Sequence, residues 1–588
     1  MTHSPEKPLE IGAAKSDITA FEEGLGLFGW AYPENVARGV AMPLSARAFV
    51  LRAPSTDTRF AFVVADLGYL PHAVRQAVID RLASEHAALG LGEANVMLTA
   101  THTHSGPGGL SHYFFYCAAA QGYSEVVFSR VVDGIVAAIV EADARRRPGR
   151  VSLRSGEIPL EVPVAFNRCI EAYNANRDVR PKQRGHRSPA AIDRDMVLLG
   201  FEDDQGRPVG ALSFFGVHGT SVHRDNQLLH PDNKGCAAAA MERRMATAHG
   251  APDFVAGFAQ APAGDVTPNF RRDRARGLVI GELDDDFESA RANGDHQFRQ
   301  AYRLLDGVGP DDALAPTLDA ALIYADLAEV ELAPRFSEGQ AGACTSPAEI
   351  GLRMIMGTEE GPGLPYILTR PVERAARLWR GWQRVGQRLG ATRLPGARRA
   401  ASQAGKLGLL DTGMGPRARI VGLLPMARSL PLPDAVHPIV AYAKRVVRRG
   451  GLDQHPLTPR VLPLQIAILD RLAIVAVPGE TTTVAGRRLR QGLLERLAPR
   501  GVTRVVVCPY SNSYAGYITT PEEYDRQAYE GASTHFGRWT LGAYQTLFDG
   551  LGRRLLTPSS RRSTDLGLAP PRFSPEVLAA RAFEPRAP

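Results

Sequence analysis

The chain has 588 residues, of which 44% are hydrophobic and 22% charged, and its net charge is +7. This length and apolar content permit a large buried core, and the ordinary composition excludes a fibrous, disordered or disulfide-framework protein. The charge is local: Arg370 to Lys406 holds ten Lys or Arg and one acid, so this stretch carries +9 and the remainder −2, which argues against a general nucleic-acid footprint.

The N-terminal stretch "MTHSPEKPLEIGAAKSDITA" lacks the apolar core that a secretion signal needs. No run of roughly 18 apolar residues occurs, so no membrane-spanning helix is expected. Five scattered cysteines, Cys117, Cys169, Cys236, Cys344 and Cys508, show no CxxC spacing. They read as reduced core thiols, and a cytoplasmic location is expected.

Strand-like and helix-like segments then alternate. "RFAFVVADL" (Arg59 to Leu67) predicts a buried strand. The following segment predicts a helix opened by Pro71, with Val74, Val78 and Leu82 on one face. "ANVMLTATHT" predicts a second strand. "YSEVVFSRVVDGIVAAIVEADARRR" predicts a second helix with its arginines in the last turn, where the helix dipole favours cations. The expected fold class is α/β, with mixed β-sheets flanked by helices.

Four later segments share one pattern, an apolar strand followed by a turn of small and polar residues. They run Gly210 to Ser221, Phe254 to Asn269, Leu472 to Leu489 and Arg504 to Thr520. Ligands bind outside the carboxyl ends of strands in open α/β sheets. The pattern therefore predicts that His102, His104, His218, Asp265, Thr267, Glu480 and Tyr517 converge on one cleft. In "THTHSGPGG", residues i and i+2 of a strand face the same way, so His102 and His104 are aimed together at the strand exit. An isolated HxH is often a hydrogen-bonded pair. Joined to His218 in "GVHGTS" and Glu480 in "VPGETT", it points to a metal site, because neutral imidazole and carboxylate are good zinc ligands. His223 and His230 remain rival ligands.

These stretches resemble the neutral ceramidases, the neutral/alkaline non-lysosomal type. "THTHSGPGG" is the most specific signature. "FNRCIEAYNAN", "FFGVHGTS" with "DNKG", "GFAQAPAGDVTPN", "LPLQIAILDRLAIVAVPGETTTVAGRRLR" and "YSNSYAGYITTPEEYDRQAYEGAST" follow in family order. The resemblance implies a zinc ion held by His102, His218, Glu480 and Tyr517. Only the resemblance selects Tyr517 from Tyr510, Tyr514, Tyr517 and Tyr524. It places His104, Arg168 and Tyr529 around the scissile amide, with Thr267 where the family has serine. There Thr267 is expected to hydrogen-bond substrate or water. The implied reaction is hydrolysis of the N-acyl bond of ceramide, or of a similar N-acyl lipid, to a sphingoid base and a fatty acid by a zinc-activated water. A non-catalytic lipid-binding relative is the competing reading, and retention of all four ligands argues against it.

The implied organisation is a single large catalytic domain over residues 1–550, with its metal site at strand carboxyl ends, and a Pro/Arg-rich tail over 551–588. This reads as an intracellular relative without the C-terminal immunoglobulin-like domain and secretion signal of many members. Within the domain, about 370–406 reads as a basic amphipathic insertion. Arg370, Arg374, Arg377, Arg380 or its neighbours, Arg384 and Arg388 recur on one side, and Val372, Ala375, Leu378, Trp382, Val385 and Leu389 on the other. Such a helix over 370–390 could dock on an anionic membrane surface, at about 1 kcal/mol per nearby cation. A solvated helix with Trp379 and Trp382 packed on the core is the alternative.

Overall fold

The structure, a computed structural model, describes residues 7–185, 187–363, 370–371, 373–374, 401–422, 424–426 and 437–585. Two sheets face each other across a shared core. The larger contains β1 (Leu9–Asp17), β2 (Ser45–Ala53), β3 (Thr58–Ala65), β4 (Val96–Ala100), β5 (Arg147–Glu157), β6 (Asp195–Asp203), β7 (Pro208–Phe215) and β8 (Val255–Gln260). Their order across the sheet is β8-β7-β6-β5-β1-β2-β3-β4. The smaller contains β9 (Leu318–Asp326), β10 (Val461–Leu469), β11 (Leu472–Ala476) and β12 (Arg504–Cys508), side by side in chain order. The fold is thus α/β with mixed sheets.

Both faces of β3, β4, β7, β8, β10, β11 and β12 are largely buried, which is why most of them read as apolar runs. In β3, Phe60, Phe62 and Val64 enter the layer between the sheets, where they meet Leu472, Ile474 and Val506 of the smaller sheet. The alternate residues Ala61, Val63 and Ala65 face the opposite way, onto helices α1 (His72–Glu85) and α2 (Glu125–Ala144). Helices α3 (Asp232–His249) and α4 (Asp286–Asp306) cover the β6–β8 end of the same face. Helix α5 (Pro438–Arg448) joins the α1–α2 core through Tyr442, Ala443 and Val446. The outer face of the smaller sheet packs on α6 (Thr483–Leu497) and α7 (Thr540–Leu556).

Helix α2 stops at Ala144, one turn earlier than its arginines suggested. Arg145 is the C-cap and Arg147 already opens β5. Arg146 is drawn off the helix axis by Asp143 (2.6 Å) and by Glu10 of β1.

Residue 550, the expected end of the catalytic domain, lies inside α7. The chain beyond it runs back along the body. The Leu566 carbonyl accepts from the Tyr324 amide (2.6 Å), and Phe583 N–H donates to the Tyr123 carbonyl (2.7 Å). Arg581 is fully buried, donating to the Gly451 carbonyl (2.9 Å) and pairing with Asp453 (3.2 Å). The basic insertion lies mostly outside the described residues, which leave out 375–400. Among the described residues, no helix is long and apolar enough to cross a membrane.

Candidate active site

Within the two main sheets, three pairs of neighbouring strands are parallel: β3/β4, β7/β8 and β11/β12. Parallel neighbours end on the same side, so the loops that leave them can share one crevice. Those loops carry His102 after β4, His218 after β7, Thr267 after β8, Glu480 after β11 and Tyr517 after β12.

The histidine pair converges for a different reason than strand alternation. The strand ends at Ala100, and His102 has a left-handed backbone with φ +67°. That conformation costs a non-glycine residue roughly 1–3 kcal/mol and persists only where the surroundings hold it. Here His102 N–H donates to the Leu67 carbonyl (2.9 Å) and its Nδ1 to the Gly68 carbonyl (2.5 Å), both at the end of β3. Thr103 pairs with Gly219 in a short parallel bridge. A Cβ at residue 219 would stand 2.4 Å from the His102 carbonyl, so only glycine lets the His218 loop approach this closely.

His218 is oriented in the same manner. Its Nδ1 faces the carbonyls of Ala263 (2.7 Å) and Val266 (3.0 Å), which leaves Nε2 buried without a hydrogen bond. Backbone carbonyls on Nδ1 fix the tautomer and present the Nε2 lone pair, the outer arrangement that metal-binding histidines require. Glu480 Oε2 stands 3.5 Å from His102 Nε2 and 3.4 Å from His218 Nε2. His104 Nε2 stands 3.2 Å from His102 Nε2. One ring nitrogen from each of His102, His104 and His218 lies within 4.8 Å of the other two.

Burial pushes His102 down to about 4, against the pull of Glu480, and pushes His104 well below the ordinary imidazole range. Both rings are therefore neutral near pH 7. Burial also pushes the Glu480 carboxyl up, but its surroundings outweigh this, among them the Tyr514 and Tyr510 hydroxyls that donate to it, and hold the group below the ordinary carboxylate range. Neutral imidazole nitrogens and an ionised carboxylate, all buried and facing one point, are a donor set that a divalent cation completes. His102, His218 and Glu480 therefore fit a metal.

Tyr517 stands opposite Glu480 in a two-residue parallel ladder. Burial, reinforced by Glu480, raises its phenol well above the ordinary range. The Tyr517 oxygen accepts from Arg168 Nη2 (3.1 Å). Arg168 is itself held by Glu360 (2.8 Å), Glu530 (3.0 Å) and the Gly264 carbonyl (2.9 Å). Thr267 donates its hydroxyl to Glu360 and accepts from Asn269 N–H (3.0 Å). Asn269 Nδ2 donates to the same carboxylate (2.9 Å). Arg168 and Thr267 thus sit behind Tyr517 in a layer organised by Glu360. The Tyr529 ring lies edge-on to that of Tyr517, with centroids 5.6 Å apart.

The cluster opens into a cavity of about 400 Å³, lined by His102, His104, Glu480, Tyr517 and Tyr529 together with an apolar wall that includes Phe28, Phe114, Leu410, Ile420, Met426 and Ile439. All eight sequence-derived site residues belong to one connected cluster, of which His218, Arg168 and Thr267 do not line the cavity.

Other candidates lie elsewhere. Asp265 accepts from the Thr483 amide (2.7 Å) and hydroxyl (2.8 Å), holding the start of α6. His223 pairs with Asp286 (3.0 Å), and His230 Nδ1 accepts from Asp232 N–H (3.0 Å), so neither rival joins the cluster. Tyr524 donates to Gln403 (3.2 Å), away from it. Tyr510 (3.3 Å) and Tyr514 instead donate to the two Glu480 oxygens. The residue that sequence reasoning missed is Glu360. It comes from "GTEEGPG", which no apolar strand precedes, so the strand-end pattern could not find it.

Comparison with known proteins gives the family. The family described as neutral/alkaline non-lysosomal ceramidase, N-terminal, matches residues 9–421 and 436–546. The neutral ceramidase of Pseudomonas aeruginosa is 34% identical over 578 residues, covering 97% of this chain and 76% of that protein. The neutral ceramidase of Mycobacterium tuberculosis is 32% identical, covering 91% and 75%. The solved structure of a ceramidase complexed with C2 superposes with a TM-score of 0.77 at 32% identity, covering 96% of this chain and 77% of that one. The protein is a hydrolase of the ceramidase type. It belongs to the neutral/alkaline non-lysosomal ceramidase family.

Proposed function

We propose that this protein hydrolyses the N-acyl bond of ceramide, or of a closely similar N-acyl lipid, to a long-chain base and a fatty acid, at a zinc centre. The observation that carries this reading is the buried set of His102, His218 and Glu480 opening into an apolar cavity. His102, His218, Glu480 and Tyr517 would hold the zinc. When bound, it would supply Lewis acidity toward water and the amide carbonyl near neutral pH.

The chain's own residues do the rest. The apolar wall takes the hydrocarbon chains and excludes bulk water, which strengthens every polar contact at the reacting carbon. His104 is neutral and adjacent to the cluster, so its imidazole can take a proton and return it to the leaving amine. The Tyr529 phenol keeps its proton because burial raises it, and it can donate to the developing oxyanion. Arg168 fixes the Tyr517 oxygen, and Thr267 fixes Glu360. With its hydroxyl committed to Glu360, Thr267 supports the site and is not the attacking group.

The test is release of labelled long-chain base from ceramide by purified protein, beside a panel of N-acyl amino-acid lipids. Selective release from ceramide supports the reading. Release only from another lipid class moves the substrate, and no release from any lipid by zinc-loaded protein contradicts it.

A further inference from the structure

The cavity wall has a second polar stretch away from the histidine cluster. Gly516 pairs with Thr534 in an isolated antiparallel bridge. Ser533, the helical C-cap of the short helix Tyr529–Ala532, and His535 flank this bridge, and both line the cavity. Thr534 turns away and spends its hydroxyl on Thr519 (3.0 Å) and on the Glu530 carbonyl (2.9 Å).

Ser533 and His535 are both buried, yet the Ser533 hydroxyl and His535 Nδ1 have no hydrogen-bond partner among the described residues. Native proteins rarely leave such groups unpaired. The ring is also closely seated. Residue 516 has φ +71°, and a Cβ there would lie 2.7 Å from His535 Nε2, so glycine both permits the turn and makes room for the imidazole beside Tyr517. Burial pushes His535 down to about 3, with Lys406 adding to the effect. The ring is therefore neutral and offers one donor and one acceptor.

We propose that Ser533 and His535 form a hydroxyl-reading subsite beside the reacting amide, which selects N-acyl lipids bearing a hydroxyl near that amide over their deoxy counterparts. This rests on the function proposed above. A hydroxyl is the group that fits, since it can donate to the imidazole and accept from the serine. A charged group would be left unpaired in a neutral, mostly apolar wall. A hydrocarbon would leave both polar atoms unsatisfied, and sites built for a substrate hydroxyl reject the analogue that lacks it.

The experiment compares ceramide with its 1-deoxy and 3-deoxy analogues. Equilibrium binding and kcat/KM are measured on wild type, His535→Leu, His535→Gln and Ser533→Ala. Wild type is expected to favour ceramide over one deoxy analogue by about tenfold or more. His535→Leu should bring that ratio close to one through KM while keeping kcat on the deoxy lipid, and His535→Gln should restore part of it. Retained turnover of the deoxy lipid shows that the variant is folded. If His535→Leu does not fold, Ser533→Ala makes the same comparison. A wild type that does not discriminate, or a ratio unchanged in both His535→Leu and Ser533→Ala, overturns the subsite. A binding ratio that moves without any hydrolysis sinks the proposed reaction and leaves the subsite standing. Absence of binding by all three lipids overturns both.

Discussion

The two sides of the cavity are built differently. The reacting side is carried by loops that leave long strands buried on both faces: His102 follows β4, His218 follows β7 and Glu480 follows β11. The apolar side draws on very short pieces, the strands Gly408–Leu410 and Arg419–Ile420, with the first turn of α5. A packed two-sheet scaffold can hold ligating atoms to within a few tenths of an ångström, whereas short connecting elements tolerate change. Under the proposed function the first side carries the chemistry and the second sets chain-length preference, and substitutions can separate the two.

The largest effect is expected on the scaffolded side. His102→Ala and Glu480→Ala should each abolish hydrolysis and lower bound zinc, as read by lipid turnover and metal analysis. Full activity in either variant would remove the metal assignment. One layer behind, Glu360→Gln keeps the shape but weakens the anchor of Arg168 and Thr267. Hydrolysis should fall about 10- to 100-fold, the usual cost of losing an outer partner, while bound zinc stays near the wild-type level. A loss of zinc would place Glu360 closer to the metal than the geometry does.

On the apolar side, Leu410→Ala should shift acyl-length preference by roughly tenfold through KM, with kcat on the best substrate little changed. A collapse of kcat would show that this wall also positions the amide. The smallest effect is expected for Thr267→Ser. Serine can make the same hydrogen bonds to Glu360 and Asn269, so activity should be kept or raised. Complete loss would mean that the methyl group matters in a way the hydrogen bonds do not show.

The contrast also explains what the sequence reveals. The strands were legible because both of their faces are buried, which turns Arg59–Leu67 or Leu472–Val477 into unmistakable apolar runs. His102, His218 and Glu480 were legible because each follows such a run. Tyr517 was not separable from Tyr510 and Tyr514 by pattern, since all three lie in one turn beside Glu480; Tyr510 and Tyr514 donate to its oxygens, whereas the Tyr517 oxygen accepts from Arg168. Family resemblance selected it. Glu360 was illegible because its role rests on contacts with Arg168 and Thr267 that cross 192 and 93 positions of chain. The convergence of His102 and His104 was anticipated, but its cause was not. A left-handed turn anchored on Leu67 and Gly68 brings the rings together after the strand has ended.

The most direct test is release of long-chain base from labelled ceramide before chelation, after removal of zinc, and after zinc is restored. The account predicts loss of release on chelation and recovery with zinc, with no recovery in Glu480→Ala. Undiminished release by protein shown to be metal-free would contradict it.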